Sequence, residues 1–184
     1  MAVMSTAAAA GGAALGTMGA AAVQSAREVQ RLSQVAGSSP RELQRWSAAT
    51  RTVGIDQEKL ADILKDVNDR IGQAATGEGE LMDFFTNIAP KVGVTIEQFE
   101  KLSGPEALGL YVSSLEKAGV NGKEFTRYME QMASDSTLLL PLLKNNADEL
   151  NRLGDAAENA GGIMSDTDIA NLAFVRGCKG VGTD

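Results

Sequence analysis

The chain has 184 residues, one cysteine, no histidine and a net charge of −7, and this length predicts one domain, or one domain with a tail, that can bury a core. Without histidine the chain cannot form a Ser-His-Asp triad or a histidine-ligated zinc site, and its one cysteine, Cys178, excludes an internal disulfide and any multi-cysteine metal site. The acidic balance argues against nucleic-acid binding, which depends on clustered Lys and Arg.

Residues 1–26 carry no charged side chain and consist mostly of Ala and Gly. Three interpretations remain open for this segment: an Ala-rich helix that packs or frays, a disordered lead, and a membrane-seeking segment. Ala and Gly gain little on transfer into a bilayer, so we expect contact with protein rather than lipid, although membrane contact through residues 1–26 stays an alternative. Small side chains allow close helix approach, which favours a homo-oligomer.

Charge is distributed unevenly along the chain. Residues 1–51 contain five arginines and two glutamates, whereas residues 52–184 contain 12 basic and 22 acidic residues. We interpret the arginines as a solvated helix face rather than a nucleic-acid site, because they are spread at helical spacing over some 25 residues. These arginines are Arg27, Arg31, Arg41, Arg45 and Arg51.

One turn pattern recurs four times in residues 27–174. A glycine is followed two positions later by a residue that can cap a helix, and six positions later by a large apolar residue. Glycine suits the left-handed end of one helix, and the cap begins the next. The pattern predicts an all-α fold of eight to ten short helices joined by Gly-centred capped turns, with an Ala/Gly-rich N-terminal helix. The glycine and cap pairs are Gly37 and Ser39, Gly54 and Asp56, Gly93 and Thr95, and Gly119 and Asn121.

Further helix boundaries follow from prolines and polar caps. An aromatic helix over residues 81–88 should stop before Pro90, and Ser103 or Gly104 should cap the helix that follows residue 102. The apolar run at residues 138–143 predicts a buried hinge, where Pro141 kinks or ends a helix.

The last helices and the tail also have sequence signals. Asn146 with Glu149 predicts a cap for the next helix, and Ser165 with Asp168 predicts the start of the last one. Residues 175–184 are rich in glycine and are expected to be unstructured.

Few residues suggest chemistry. Gly77 and Gly79 have no preceding strand or following lysine, so a nucleotide site is not expected. Asp166-x-Asp168 lacks the Gly and Glu of a calcium loop. The nearest carboxylate cluster, Glu78, Glu80 and Asp83, lies at a loop and a helix start, where solvated acids are ordinary. We therefore predict no catalytic, cofactor-binding or metal-binding residue, no cofactor and no small-molecule substrate.

Six stretches follow one another along the chain: Trp46–Ala49, Val53–Asp56, Leu60–Asp66, Phe85–Thr95, Leu102–Leu108 and Tyr111–Ala118. Together they resemble the phage tail tape measure protein family, within a similarity that covers roughly residues 15–172.

The resemblance implies a structural protein that occupies the tail tube during assembly, sets tail length and leaves at DNA ejection. It implies tail tube and tail assembly proteins as partners, the virion tail interior as location, and the bacterial host cytoplasm before assembly. Members of the family are usually longer, so this chain is expected to be part of such a protein or a truncated prophage product. No catalytic residue transfers from the family. Two alternatives are a membrane-active helical segment in DNA ejection and a cell-wall-cleaving enzyme domain.

Overall fold

The computed structural model describes the backbone of residues 9–174 and the side chains of residues 20–172. Within that range the chain forms ten α-helices and two short 3-10 turns, at Arg51–Val53 and Ser136–Leu139, and no strand. The all-α prediction of eight to ten helices is confirmed. The predicted tail at residues 175–184 lies outside the described residues. The helices are α1 (Ala9–Val35), α2 (Pro40–Thr50), α3 (Gln57–Ala75), α4 (Met82–Asn87), α5 (Ala89–Val92), α6 (Ile96–Phe99), α7 (Gly104–Lys117), α8 (Gly122–Met132), α9 (Leu140–Asn159) and α10 (Asp166–Phe174).

The Ala-rich segment and the first amphipathic stretch form one helix. α1 is 27 residues long and runs without a break from the Ala-rich part into the buried stripe of Val29 and Leu32. The helical interpretation therefore holds for residues 9–26, and residues 1–8 lie outside the described part. Of the helices in residues 9–174, none combines the length and hydropathy that crossing a membrane requires.

The four predicted turns have the expected backbone at their glycines. Ser39 Oγ accepts the Glu42 N–H at 3.1 Å and so caps α2. An Asp56 carboxylate oxygen accepts the Lys59 N–H at 2.8 Å and caps α3. Positive φ at each glycine ends the preceding helix in the left-handed region, where a Cβ is unfavourable. The values are +61° at Gly37, +80° at Gly54, +74° at Gly93 and +75° at Gly119.

The cap predicted at Asn121 is wrong. The Asn121 side-chain amide donates to the Gly119 carbonyl at 3.1 Å and makes no capping bond to α8. Asn side chains compete for nearby backbone groups in turns, and here the turn carbonyl takes the amide. For the start of α7 the sequence predicted either Ser103 or Gly104 as the cap. Ser103 is the cap, because its Oγ accepts the Glu106 N–H at 3.3 Å.

The kink or helix end predicted at Pro141 is also wrong, whereas the burial predicted for residues 138–143 holds in part. Pro141 lies in the first turn of α9, where its missing N–H removes no helical hydrogen bond. Leu138 is 51% exposed, whereas Leu139, Leu142 and Leu143 are buried. The leucines therefore anchor the start of a helix to the core.

The real break in α9 follows one turn later. Asn145, Asn146 and Ala147 have φ values of +54°, +60° and +59°, so three consecutive residues are left-handed. Asn146 therefore cannot serve as the predicted cap. The left-handed helical region costs a non-glycine residue about 1–2 kcal/mol. The Asn145 N–H donates to Glu116 Oε1 at 3.1 Å, which fixes the break against α7.

Ala147→Gly should raise the free energy of unfolding by about 1 kcal/mol, because glycine adopts positive φ without the steric penalty of a Cβ. Ala156→Gly is the matched control in the right-handed part of α9, and there glycine should lower stability by about 0.5–1 kcal/mol. Urea denaturation of both variants measures the two changes. Equal losses at both positions would show that residue 147 is not left-handed in solution.

The core is one continuous cluster that joins α1 to α9, with a small second cluster where Ala26 and Val29 of α1 meet Ile169 of α10. Its centre is aromatic. Phe84 lies 4.4 Å from Tyr111 and 5.8 Å from Phe99 between ring centroids. The buried Tyr111 hydroxyl donates to the Tyr128 carbonyl at 2.7 Å, and burial raises the pKa of Tyr111. Four of the aromatic residues thus form one cluster in the core.

Three helices meet at two glycines, which we call the Gly37–Gly104 junction. The Gly104 N–H donates to the Gly37 carbonyl at 3.3 Å. The Asn68 side-chain amide of α3 donates to the Ala36 carbonyl at 3.0 Å, which satisfies the end of α1. The junction therefore fixes the end of α1, the middle of α3 and the start of α7 together.

Candidate functional site

The carboxylates that the sequence singled out are engaged in surface ion pairs. Glu80 pairs with Arg70 at 2.9 Å and Asp83 with Arg127 at 2.7 Å, while Glu78 is exposed. The hydrogen bond from Arg127, followed by one from Asn87, holds the pKa of Asp83 below its usual value. These acids thus tie α3 to the following loop and α4 to α8, and the structure does not gather them around a cleft as a pair of catalytic carboxylates.

The two acids at the start of α10 have structural roles. Ser165 Oγ accepts the Asp168 N–H at 3.1 Å and donates to its carboxylate at 2.7 Å, which begins α10 as predicted. Asp166 accepts the Arg41 N–H at 2.9 Å and so holds α10 against the start of α2. In the part of the chain that the structure describes, no group of three or more acids, histidines or cysteines could hold a metal ion.

Two of the predicted surface arginines form ion pairs with α9; Arg41 is exposed, and Arg45 is partly buried. Arg41 Nε donates to Glu158 Oε1 at 2.8 Å, and Arg45 pairs with both Asp155 and Glu158 of α9. These contacts lower the pKa of Glu158 below its usual value, the Arg41 bond most strongly. Arg45 packs against Gly154 of α9, where an added Cβ would lie 3.4 Å from Arg45 Cβ, an ordinary van der Waals distance. Arg45 and Glu158 are more than 100 residues apart in the sequence, so local sequence patterns could not predict this ion pair.

A cleft of about 280 Å³ opens between α2 and α9, and Glu42 lies on its wall. The Ser103 hydroxyl donates to Glu42 Oε1 at 3.1 Å, and Glu106 accepts the Ser103 N–H at 2.9 Å. Burial raises the pKa of Glu42; the Ser103 bond opposes that rise and the charge of Glu106 adds to it. The lining residues are Ser39, Arg41, Glu42, Arg45, Trp46, Leu150 and Asn151.

The sequence analysis did not predict that Glu42 and Glu106 lie near each other. The signal was present in two similar stretches, Ser39-x-x-Glu42 and Ser103-x-x-Glu106, each typical of a helix start. Their glutamates come near each other because the Gly37–Gly104 junction brings the starts of α2 and α7 together. A carboxyl group with a raised pKa in a cleft is a usual sign of acid–base chemistry, but here its oxygen is bound to a hydroxyl that links two helices.

Glu42→Gln should raise stability near pH 7 and flatten its dependence on pH. The pKa of Glu42 is higher in the folded chain than in the unfolded chain. At pH values between these two pKa values, the folded chain therefore binds more protons than the unfolded chain. The free energy of unfolding consequently falls as pH rises through that window. Glutamine stays neutral and can still accept the Ser103 hydroxyl. Denaturation midpoints at about pH 4 and about pH 7 measure this, with the exposed Glu100→Gln as control; an unchanged pH dependence in E42Q would contradict it.

A second cleft, of about 170 Å³, lies between α1, α2, the start of α3 and the loop before α10; we call it the α1–α2 cleft. Gln44 closes one side, since its side chain donates to the Met164 carbonyl and accepts the Met164 N–H, both at 3.0 Å. Ser47 Oγ and Gln57 Nε2 are buried there without a hydrogen-bond partner. The lining residues are Ser25, Val29, Gln44, Ser47, Ala48, Arg51, Gln57, Gly162 and Met164.

No known protein family, no curated protein and no solved structure matches the chain. The resemblance to tape measure proteins therefore rests on the sequence motifs alone.

Proposed function

We propose that the chain is part of a phage tail tape measure protein and acts as a structural component of tail assembly, without enzymatic activity. The observation that carries the proposal is the ordered set of similar stretches between residues 46 and 118. Those stretches contribute parts of α2, α3, α4 and α7, all of α5, and the Gly93 turn. Its partners are tail tube and tail assembly proteins, in the host cytoplasm during assembly and then in the tail interior.

We infer from the compact fold which part of that work this segment performs. A folded chain of 184 residues has a radius of gyration of about 16 Å, whereas the same chain as one straight helix would extend about 280 Å. Folded in this way, the segment contributes little to a length ruler. We therefore assign length setting to other parts of the tape measure protein and contact with tail proteins to this segment.

α1 offers a surface for self-association. Its residues at positions 20–22, 24 and 25 are exposed and small or polar, and the helix then continues into the buried stripe. Small side chains let a second helix approach closely. We therefore include in the proposal a homo-oligomeric contact through this surface within the tail.

Sequencing the DNA on both sides of the gene tests the proposal. Tape measure genes act together with tail-tube and tail-assembly genes, so we expect such genes as immediate neighbours. Neighbours that encode only metabolic enzymes would contradict the assignment. A neighbouring gene for a cell-wall hydrolase alone would favour the enzyme alternative instead.

A further inference from the structure

Among the described residues, two of the four buried side-chain atoms without a hydrogen-bond partner belong to residues that line one cleft, and both can donate a hydrogen bond. Ser47 is 2% exposed and its Oγ has no partner; Gln57 is partly buried, and its buried Nε2, which can only donate, also has none. A buried donor without an acceptor costs free energy, so such a group in a folded protein calls for an unseen partner. We propose that the α1–α2 cleft binds a small anion through carboxylate or phosphate oxygens.

The charge at the cleft selects an anion over a cation. Arg51 lines the cleft and its guanidinium makes no hydrogen bond or ion pair with any residue that the structure describes. Gln57 is the first residue of α3, and because Asp56 already caps that helix, the donor at this cleft is the Gln57 side-chain amide. Residues with a guanidinium, a hydroxyl and a side-chain amide thus line one cleft, and these are the groups that bind an oxyanion.

The neighbouring acceptors and acids do not compete for these donors. Gln44 is the other amide of the cleft, and both ends of its side chain are already bonded to Met164. Glu58 follows Gln57 in sequence, and its carboxylate faces Arg31 of α1 at 3.9 Å. No carboxylate is among the residues that line the cleft, so a bound anion meets donors on the polar side.

The size and the opposite wall limit the ligand. A volume of about 170 Å³ corresponds to roughly six waters at about 30 Å³ each, and so to about six non-hydrogen atoms. Val29, Ala48 and Met164 supply apolar lining to the same cleft. The cleft therefore fits inorganic phosphate or a carboxylate on a short aliphatic stem, and nothing as large as a nucleotide. This assignment is independent of the role in tail assembly.

Titration of the full chain with sodium phosphate and with sodium butyrate, followed by NMR, tests the site. We expect saturable shifts at millimolar concentration in the Ser47 backbone amide and the Gln57 side-chain amide. Stronger binding of butyrate would assign a carboxylate ligand, and stronger binding of phosphate a phosphate ligand. Shifts that stay linear or spread over the whole surface would show only non-specific ion binding and overturn the site, as would no shift for either anion.

Three variants and one control locate the binding. Gln57→Glu replaces a donor with a negative charge and favours the first turn of α3, so the fold is retained. Gln57→Glu and Arg51→Gln should each weaken binding by about tenfold or more, the effect of losing a hydrogen bond to a charged group. Ser47→Ala should also weaken binding. Arg152→Gln, which removes one positive charge at the Glu149 pair on α9, should leave binding unchanged. Equal weakening in R152Q, or none in Q57E and R51Q, would overturn the proposal.

Discussion

Gly104→Ala should lower the free energy of unfolding by about 3 kcal/mol, at the upper end of the usual cost of overpacking. A Cβ at residue 104 would lie 2.6 Å from the Ala36 carbonyl oxygen and 3.3 Å from the Leu64 carbonyl oxygen. Both atoms belong to helix backbone, so neither can turn aside as a flexible side chain would. To admit the methyl group, α7 must move away from the Gly37–Gly104 junction, which breaks the bond from Gly104 N–H to Gly37.

The same helix provides the control. Gly109 is also in α7, and a Cβ there meets nothing within 4 Å. Gly109→Ala should therefore raise stability by about 0.5–1 kcal/mol through the better helix propensity of alanine. Opposite signs for two identical substitutions five residues apart would locate the effect in the junction. Similar values for both, measured by urea denaturation, would show that α7 does not approach α1 this closely.

Phe84→Ala should lower the free energy of unfolding by about 3–5 kcal/mol, which is the range for removing a buried phenylalanine. Phe84 is fully buried and contacts three other aromatic rings, with Tyr111 the nearest at 4.4 Å between centroids. Removing the ring leaves a cavity at the meeting point of α4, α6 and α7, and these short helices have little stability of their own.

Phe85→Ala tests whether burial or aromatic content decides the loss. Phe85 lies 5.2 Å from Phe84 and 5.3 Å from Phe99 between centroids, but it is only partly buried. Its loss should be clearly smaller than that of Phe84→Ala. A larger loss of stability for Phe85→Ala than for Phe84→Ala would show that Phe84 is not the centre of the aromatic cluster.

Local signals in the sequence predicted most helix boundaries. The positive φ at Gly93 and the caps at Ser39 and Asp56 depend on residues within three positions of one another, so the sequence displays them directly. The same turn pattern predicted the wrong cap at Asn121, because an Asn side chain can donate to a turn carbonyl as well as accept from a helix N–H.

Features that depend on tertiary packing could not be read from local patterns. Pro141 was compatible with a break or with a first helical turn, and only the burial of its neighbours Leu142 and Leu143 distinguishes the two. Three consecutive left-handed residues in α9 are unusual even where two of them are Asn, and contact with Glu116 supports them from another helix.

The candidate sites were equally invisible in the sequence. Arg45 meets Glu158 across 113 residues, and the Ser103 hydroxyl meets Glu42 across 61. The donors of the α1–α2 cleft come from α2, the 3-10 turn that follows it and the start of α3. Spacing within one helix identifies a face, but it does not identify which distant face lies opposite.

Sedimentation with tail tubes tests the role in tail assembly most directly. The full chain would be purified and mixed with tubes assembled from the tail-tube protein encoded in the same genome, with tubes of an unrelated phage as control. We expect the chain to pellet with its own tubes in a saturable ratio and to stay in the supernatant with the unrelated ones. A chain that stays in the supernatant with both, while the tubes pellet normally, would contradict the assignment to the tail.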